Sequence, residues 1–355
     1  MFKPFYPSSG RDNNFDLLRI FAASLVIFSH GWDLTAAGME PIVALSFGAI
    51  YGGALGVWIF FFISGYLVSE SFRNRGLLRF IEARFLRIYP AFLMSLMFGV
   101  LIGACVSTLP LREYITHEQT WRYVYRSLLT DIQFILPGVY EKLPFPNGIN
   151  GSLWTIPIEM VMYVGVGIAG LLTILRRPTI ALLIFVFLIV ALISDPSRVL
   201  LIPRITQIYA LPAVLCFALG VIFYTNRDRI PLHGLAVMAL FCALVVSRLA
   251  YPPGNIFVCI FIAYATAWFV FHPRLKIQIP RRIGDISYGL YVYAFPIQQT
   301  IIYAKRDIGP WALFSLALPV TAIIAWISWR LVEKPALALK RRQIAAPRLR
   351  LTKTH

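Results

Sequence analysis

Arg19 and His30, eleven positions apart, are the first residues in this chain whose types and spacing suggest chemistry. They lie in an otherwise apolar stretch of membrane-spanning length that runs from Asp16 to Asp33. On an α-helix at ~100° per residue, eleven positions return to nearly the same face with ~16 Å of rise. An ionisable side chain held that deep in hydrocarbon is costly and by default marks a functional site. The plainer role for His30, a hydrogen bond to a neighbouring helix, stays open at this level. Asp33 follows one turn outward and is placed to orient the imidazole.

A second set of residues stands where polarity is equally expensive. The segment Asn147-Gly-Ile-Asn150-Gly-Ser152-Leu-Trp154-Thr-Ile-Pro157-Ile-Glu159 enters a later apolar run, with Glu159 about two turns inside. A buried carboxylate needs a partner or a proton, so Glu159 and His30 together give two candidate acid/base groups. Arg84 and Arg87, three residues apart, share one face of a helix and can grip a phosphate, although anchoring at a membrane surface explains many such arginines. Arg19 belongs at the same membrane face. If a nucleotide-like thioester sets its phosphates there, its pantetheine arm reaches on the order of 15 Å inward, comparable to the Arg19–His30 rise.

The elements that must position these residues are read from composition. The chain has 355 residues, 59% hydrophobic and only 14% charged, against about 25% charged for an average soluble domain. This is the profile of a multi-pass, all-α membrane protein. Ten apolar segments have spanning length: 18–37, 42–68, 88–106, 152–175, 178–194, 205–224, 231–248, 254–271, 285–303 and 310–330. With the N-terminus in the cytoplasm, 24 of the 33 Lys and Arg residues fall on the cytoplasmic side, which predicts that both termini are cytoplasmic. The net charge of +17 is therefore an orientation signal, and nucleic acid is excluded as a partner.

Several connections carry expectations of their own. Residues 69–87 read as a basic amphipathic helix on the membrane surface. Residues 107–151, rich in tyrosine and proline, form one long outer connection suited to a lid or a polyol-binding surface. The main domain is expected to end at 335, leaving 336–355 as a basic, disordered cytoplasmic tail. Cys105, Cys216, Cys242 and Cys259 lie in apolar runs without paired spacing or accompanying His or Asp clusters, so neither a disulfide framework nor a metal site is expected.

The ordered set of motifs resembles the acyltransferase 3 family of bacterial integral-membrane acyltransferases, which modify sugars. Arg19 and His30 are similar to its Arg-X10-His pattern. Phe60-Phe-Phe-Ile-Ser64-Gly65-Tyr66 resembles its second-helix signature, and Arg84-Phe-Leu-Arg87-Ile-Tyr-Pro90 its Arg-x-x-Arg motif. Ser152-Leu-Trp154 with Glu159 is similar to its Ser-Leu-Trp motif. Ile283-Gly-Asp285-Ile-Ser-Tyr-Gly-Leu-Tyr291 and Glu333-Lys-Pro335 resemble its closing signatures. One departure is Ala294, where many members carry a histidine.

The resemblance implies transfer of an acyl group, usually acetyl, from cytoplasmic acyl-CoA to a hydroxyl of a cell-surface or lipid-linked carbohydrate, at a bacterial inner membrane. It implies no tightly bound cofactor, with acyl-CoA as a donor substrate. His30 would be general base or transiently acylated nucleophile, with Glu159 as the second catalytic group. Arg19, Arg84 and Arg87 would bind the donor. Ser152, Trp154 and Glu159 would shape the acceptor side, with Trp154 stacking on a sugar face. Ser64, Gly65 and Tyr66 are expected to pack helices closely. The competing reading is a polysaccharide exporter or flippase that uses the same polar bundle as a passage.

Overall fold

The structure, a computed structural model, describes residues 13–345 apart from 47, 49, 195–206, 251–254, 273, 278 and 281. It is helical, with no strand among the described residues. The helices of seventeen residues or more are α1 (Phe15–Thr35), α2 (Gly52–Arg75), α3 (Leu77–Val106), α4 (Thr155–Leu171), α5 (Pro178–Ser194), α6 (Gln207–Thr225), α7 (Gly234–Ala250), α8 (Asn255–Phe271), α9 (Ser287–Ala304) and α10 (Pro310–Ser328). Each apolar segment read from the sequence overlaps one of them. Five stretches are long and apolar enough by length and composition to cross a membrane: Phe15–Thr35, Gly52–Arg75, Leu77–Val106, Gly151–Leu171 and Pro310–Leu339. Helix is the natural solution for such segments, because hydrocarbon offers no partner to an unpaired backbone group.

The centre of the bundle is α2, packed on α1 and α6, with α9 closing against α1, α3 and α10. Small residues set these distances. A side chain at Gly65 would come within 2.1 Å of the Phe217 carbonyl oxygen, and one at Gly220 within 2.2 Å of the Phe62 carbonyl oxygen. The two backbones of α2 and α6 therefore meet through reciprocal glycines, the close approach that small residues permit in membrane bundles. Gly65 has the packing role expected of it.

Three boundaries differ from the sequence reading, each for a local reason. The second apolar segment does not start at residue 42; a short helix, Pro41–Leu45, precedes α2, which begins at Gly52. The cause is Glu40, 3% exposed, whose carboxylate accepts hydrogen bonds from the Gly52 amide (3.1 Å) and the Ser29 hydroxyl (2.8 Å). The carboxylate thereby caps α2 and fastens it to α1 beside His30. Residues 69–87 do not form a separate surface helix. They are the ends of α2 and α3, which continue through their charged turns because Glu and Arg are good helix formers, and the break falls at Gly76 with a positive φ of 73°. The tail expected to be disordered from 336 is helical over Lys334–Ala345; residues 346–355 lie outside the described residues.

Burial of the Glu40 carboxyl pushes its pKa up; hydrogen bonds from Ser29 and Gly52 oppose the rise, and nearby Asp33 adds to it. A carboxyl raised on folding contributes stability in full below its unfolded value, and that contribution is lost as pH rises through the folded value. Glu40→Gln removes the titration. The thermal midpoint of the wild type relative to Glu40→Gln should therefore fall as pH is raised from ~4.3 upward, read by scanning fluorimetry in detergent. A constant difference across that window would refute the assignment.

Residues 107–151 fold into a cover on α3. Two short helices, Leu111–Thr116 and Glu118–Leu128, bury Tyr114 and Tyr123 against the glycines of α3. The Tyr114 hydroxyl donates to the Val100 carbonyl at 3.0 Å.

Candidate active site

Two cavities lie within the bundle, and α1 reaches both. The larger has a volume of about 1220 Å³ and is lined by His30, Asp33, Tyr51, Trp58, Arg126, Asp131, Trp154 and Phe295, among others. The smaller, about 110 Å³, is lined by Arg19, Ser64, Arg84, Arg87, Glu159, Tyr163 and Tyr288, among others. The eleven-residue spacing thus puts one end of α1 on each. Trp154 lines the His30 cavity; the three arginines line the other.

His30 is held by its surroundings more than by hydrogen bonds. The edge of Phe295 on α9 meets its ring at a centroid distance of 5.3 Å. About one turn before His30, the Gln298 amide donates to the Ile27 carbonyl at 2.8 Å, tying α9 to α1. The His30 Nδ1 atom is buried and has no hydrogen-bond partner among the described residues. Asp33 does not supply one: its carboxylate accepts from the Tyr51 hydroxyl instead. The expected orienting role of Asp33 is therefore not made by direct contact, because α2 brings a phenol to the carboxylate that the sequence of α1 cannot reveal.

Glu159 is the main relocation. Expected on the acceptor side near His30, it lines the smaller cavity with the arginines. Its carboxylate accepts from the Tyr163 hydroxyl one turn on and from the Ser64 hydroxyl at 3.3 Å. Ser64, expected to serve packing, is thus part of a polar cluster. The placement follows from the start of α4. Asn150 accepts from the Ser152 amide at 3.2 Å and donates to the Val292 carbonyl on α9 at 2.8 Å. That joint sets the 3₁₀ turn Gly151–Trp154 against α9, and Glu159 follows a turn into the bundle. Ser152 itself lines neither cavity, and its hydroxyl is buried without a partner among the described residues.

The arginines divide into two kinds. Arg19 and Arg87 share Asp285, whose Oδ2 lies 3.0 Å from one guanidinium and 2.7 Å from the other. Arg19 also pairs with Asp16 at 2.6 Å, and Arg87 approaches Glu333 at 3.8 Å. Glu333, 1% exposed, lies at the end of a π-helical stretch, Trp329–Glu333; such widened turns recur at functional sites. Arg84 has no ion pair among the described residues. Its guanidinium lies over the Tyr163 ring at 5.6 Å, and its buried Nε has no partner. Of the three, Arg84 is the one that no carboxylate among the described residues pairs at salt-bridge distance, with Glu159 in the same cavity.

Asp285 and Glu333 were present in the quoted motifs but carried no assigned role. The signal for them was charge balance: partly buried arginines need carboxylates. Arg126 and Asp131, an ion pair on the wall of the larger cavity, were likewise missed, because only the folded 107–151 segment brings them there. Among the described residues, no group of three His, Cys, Asp or Glu side chains could hold a metal ion.

Chemically, the arrangement pairs a cationic cavity with a histidine-bearing one across a thin wall. Several known proteins are similar to this chain. An O-acetyl transferase of Shigella phage Sf6 is 28% identical, over 91% of this chain and 96% of its own length. Nodulation protein 10 of Rhizobium leguminosarum bv. viciae is 29% identical, over 95% of this chain and 96% of its own. A peptidoglycan O-acetyltransferase of Listeria monocytogenes is 24% identical over 85% of this chain, which matches only 54% of that longer protein. No solved structure matches the chain significantly. The family model described as "Acyltransferase domain" matches residues 12–330, a range that contains both cavities. On that match, the chain belongs to the acyltransferase 3 family.

Proposed function

We propose that this protein is a membrane O-acetyltransferase that takes its acyl group from acyl-CoA and delivers it to a hydroxyl of a cell-surface or lipid-linked carbohydrate. The observation that carries the reading is the pairing of cavities, with arginines at one and His30 at the other. The names of two relatives, the phage O-acetyl transferase and the Listeria peptidoglycan O-acetyltransferase, favour acetyl as the group moved. The asymmetry of Lys and Arg supports a cytoplasmic face for the arginine cavity, where a CoA thioester would be available. The larger cavity, with Trp58 and Trp154 in its lining, suits a sugar, since aromatic faces cover the apolar face of a ring while carboxylates accept from its hydroxyls.

In this reaction His30 accepts the proton of the acceptor hydroxyl as the oxygen attacks the thioester carbonyl. The C–O bond forms, the C–S bond breaks, and the leaving thiolate receives the proton from the imidazolium. Arg84 holds a donor phosphate, and Glu159, bonded to Ser64 and Tyr163, sets the polarity of the donor cavity. The test uses membranes containing the chain, isotopically labelled acetyl-CoA and extracted host glycolipids, with mass spectrometry of the glycan. Label on a sugar hydroxyl is the expected result. Export of unmodified glycan with no label incorporated would instead support the exporter reading.

A further inference from the structure

The two cavities are bounded separately and adjoin. Among the described residues they have two wall residues in common, Val57 on α2 and Tyr291 on α9. Tyr291 spans the partition. Its hydroxyl is hydrogen-bonded to the Thr155 hydroxyl on α4 at 3.0 Å, and its ring meets Phe60 edge-on at a centroid distance of 6.0 Å. It is therefore held from two helices, α2 and α4, while lining both the cavity that contains Glu159 and the one that contains His30. An acyl group entering beside the arginines has less than a tenth of the larger cavity's volume to occupy, and it meets this phenol before it meets the imidazole.

We propose that Tyr291, latched on Thr155, is the gate between donor and acceptor cavities, and that with Val57 it sets the longest acyl chain that passes to His30. The gate follows from the partition itself; the acyl-length role rests on the proposed donor reading. The latch is a single hydroxyl–hydroxyl bond on a side chain with two rotatable bonds, so the barrier opens by rotamer change without separating helices. Swinging the ring aside joins the cavities; the aliphatic side chain of Val57 leaves a passage bounded on one side only. A short acyl group fits the opening, and each added methylene must displace the ring further.

Two measurements test this. In sealed vesicles of both orientations, a membrane-impermeant maleimide is applied to Ser64→Cys, which stands in the smaller cavity, and the peptide carrying residue 64 is read by mass spectrometry so that the native cysteines do not interfere. With Tyr291 in place, position 64 should label from one face only; in Tyr291→Ala it should label from both. Labelling from both faces with Tyr291 present, or from no second face in the alanine variant, overturns the gate. In the second measurement, release of CoA thiol from acetyl-, butyryl- and octanoyl-CoA is compared, with the host glycolipid extract as acceptor. Tyr291→Ala should raise the octanoyl-to-acetyl ratio roughly tenfold or more, while Tyr291→Phe, which keeps the ring but loses the Thr155 latch, should give a ratio between those of the wild type and the alanine variant. An unchanged ratio in folded Tyr291→Ala overturns the length filter. Failure of the wild type to consume any thioester, with the labelling pattern intact, overturns the donor reading and the filter with it, and leaves the partition standing.

Discussion

His30→Ala should abolish glycan acylation while the protein folds, inserts and still binds its donor. The loss expected for removing a group that shuttles the reacting proton is about 10²- to 10⁴-fold in kcat. The donor KM should move little, because the arginines line a different cavity and no contact between them and His30 is formed. Stability should also move little, since the Nδ1 atom makes no hydrogen bond to lose and the ring borders a large cavity. The measurement is labelled acetyl transfer at saturating donor, with the thermal midpoint taken on the same sample. Activity within a few-fold of wild type would remove His30 from the chemistry. Acylation that stops while total glycan and its export continue would separate a transferase from a conduit. Intact mass of the enzyme quenched during turnover distinguishes the two roles: an acetyl adduct lost in His30→Ala indicates a nucleophile, and its absence in active wild type indicates a general base.

The second large effect is expected at Asp285. Its carboxylate, 19% exposed, stands between two guanidiniums that are 18% and 17% exposed. Asp285→Ala leaves both cations half-desolvated and facing each other with their shared partner gone. Breaking such a pair from one side costs about 3 kcal/mol at the lower end of the buried range, and here two pairs break together. The expected outcome is a clear drop in thermal midpoint and loss of donor use. Asp285→Asn with Arg19→Gln should be less destabilised than the two single changes predict by addition, because contacting residues are coupled. Strict additivity would show that Asp285 is not the joint between α1 and α3. The same geometry alters what the arginines are expected to do. Arg84→Ala should weaken donor binding by itself, whereas Arg87→Ala should act chiefly through stability, since Arg87 is already occupied by Asp285 and Glu333.

Much of this protein was legible without a fold. Hydrophobic runs of bilayer length determine helices because hydrocarbon leaves the backbone no other partner, and every run chosen on that ground overlaps a long helix among the described residues. The eleven-residue interval from Arg19 to His30 fixed their separation along one helix face, since helical rise and rotation per residue are nearly constant. Gly65 was legible as a packing residue because small side chains are what close helix contacts require. Ends of helices were less legible. Charges were taken as boundaries, yet α2 and α3 run through Glu70, Arg73, Arg75 and Arg79 and stop at Gly76, because charge decides where a helix meets water and not where it ends.

What the sequence alone could not decide is which polar groups meet. Nothing in the spacing of α1 places Tyr51 on Asp33, and although Tyr163 follows Glu159 by one helical turn, nothing near Glu159 announces Ser64 or the arginine cavity. Helix rotation and the order of neighbours are set by long-range packing, here by the Asn150–Val292 joint and the Gly65–Gly220 approach. Those contacts join residues more than a hundred positions apart, where no local periodicity carries information. The sequence by itself determined that Arg19 and His30 lie on one face of a membrane helix; only the tertiary structure put Tyr291 between their cavities.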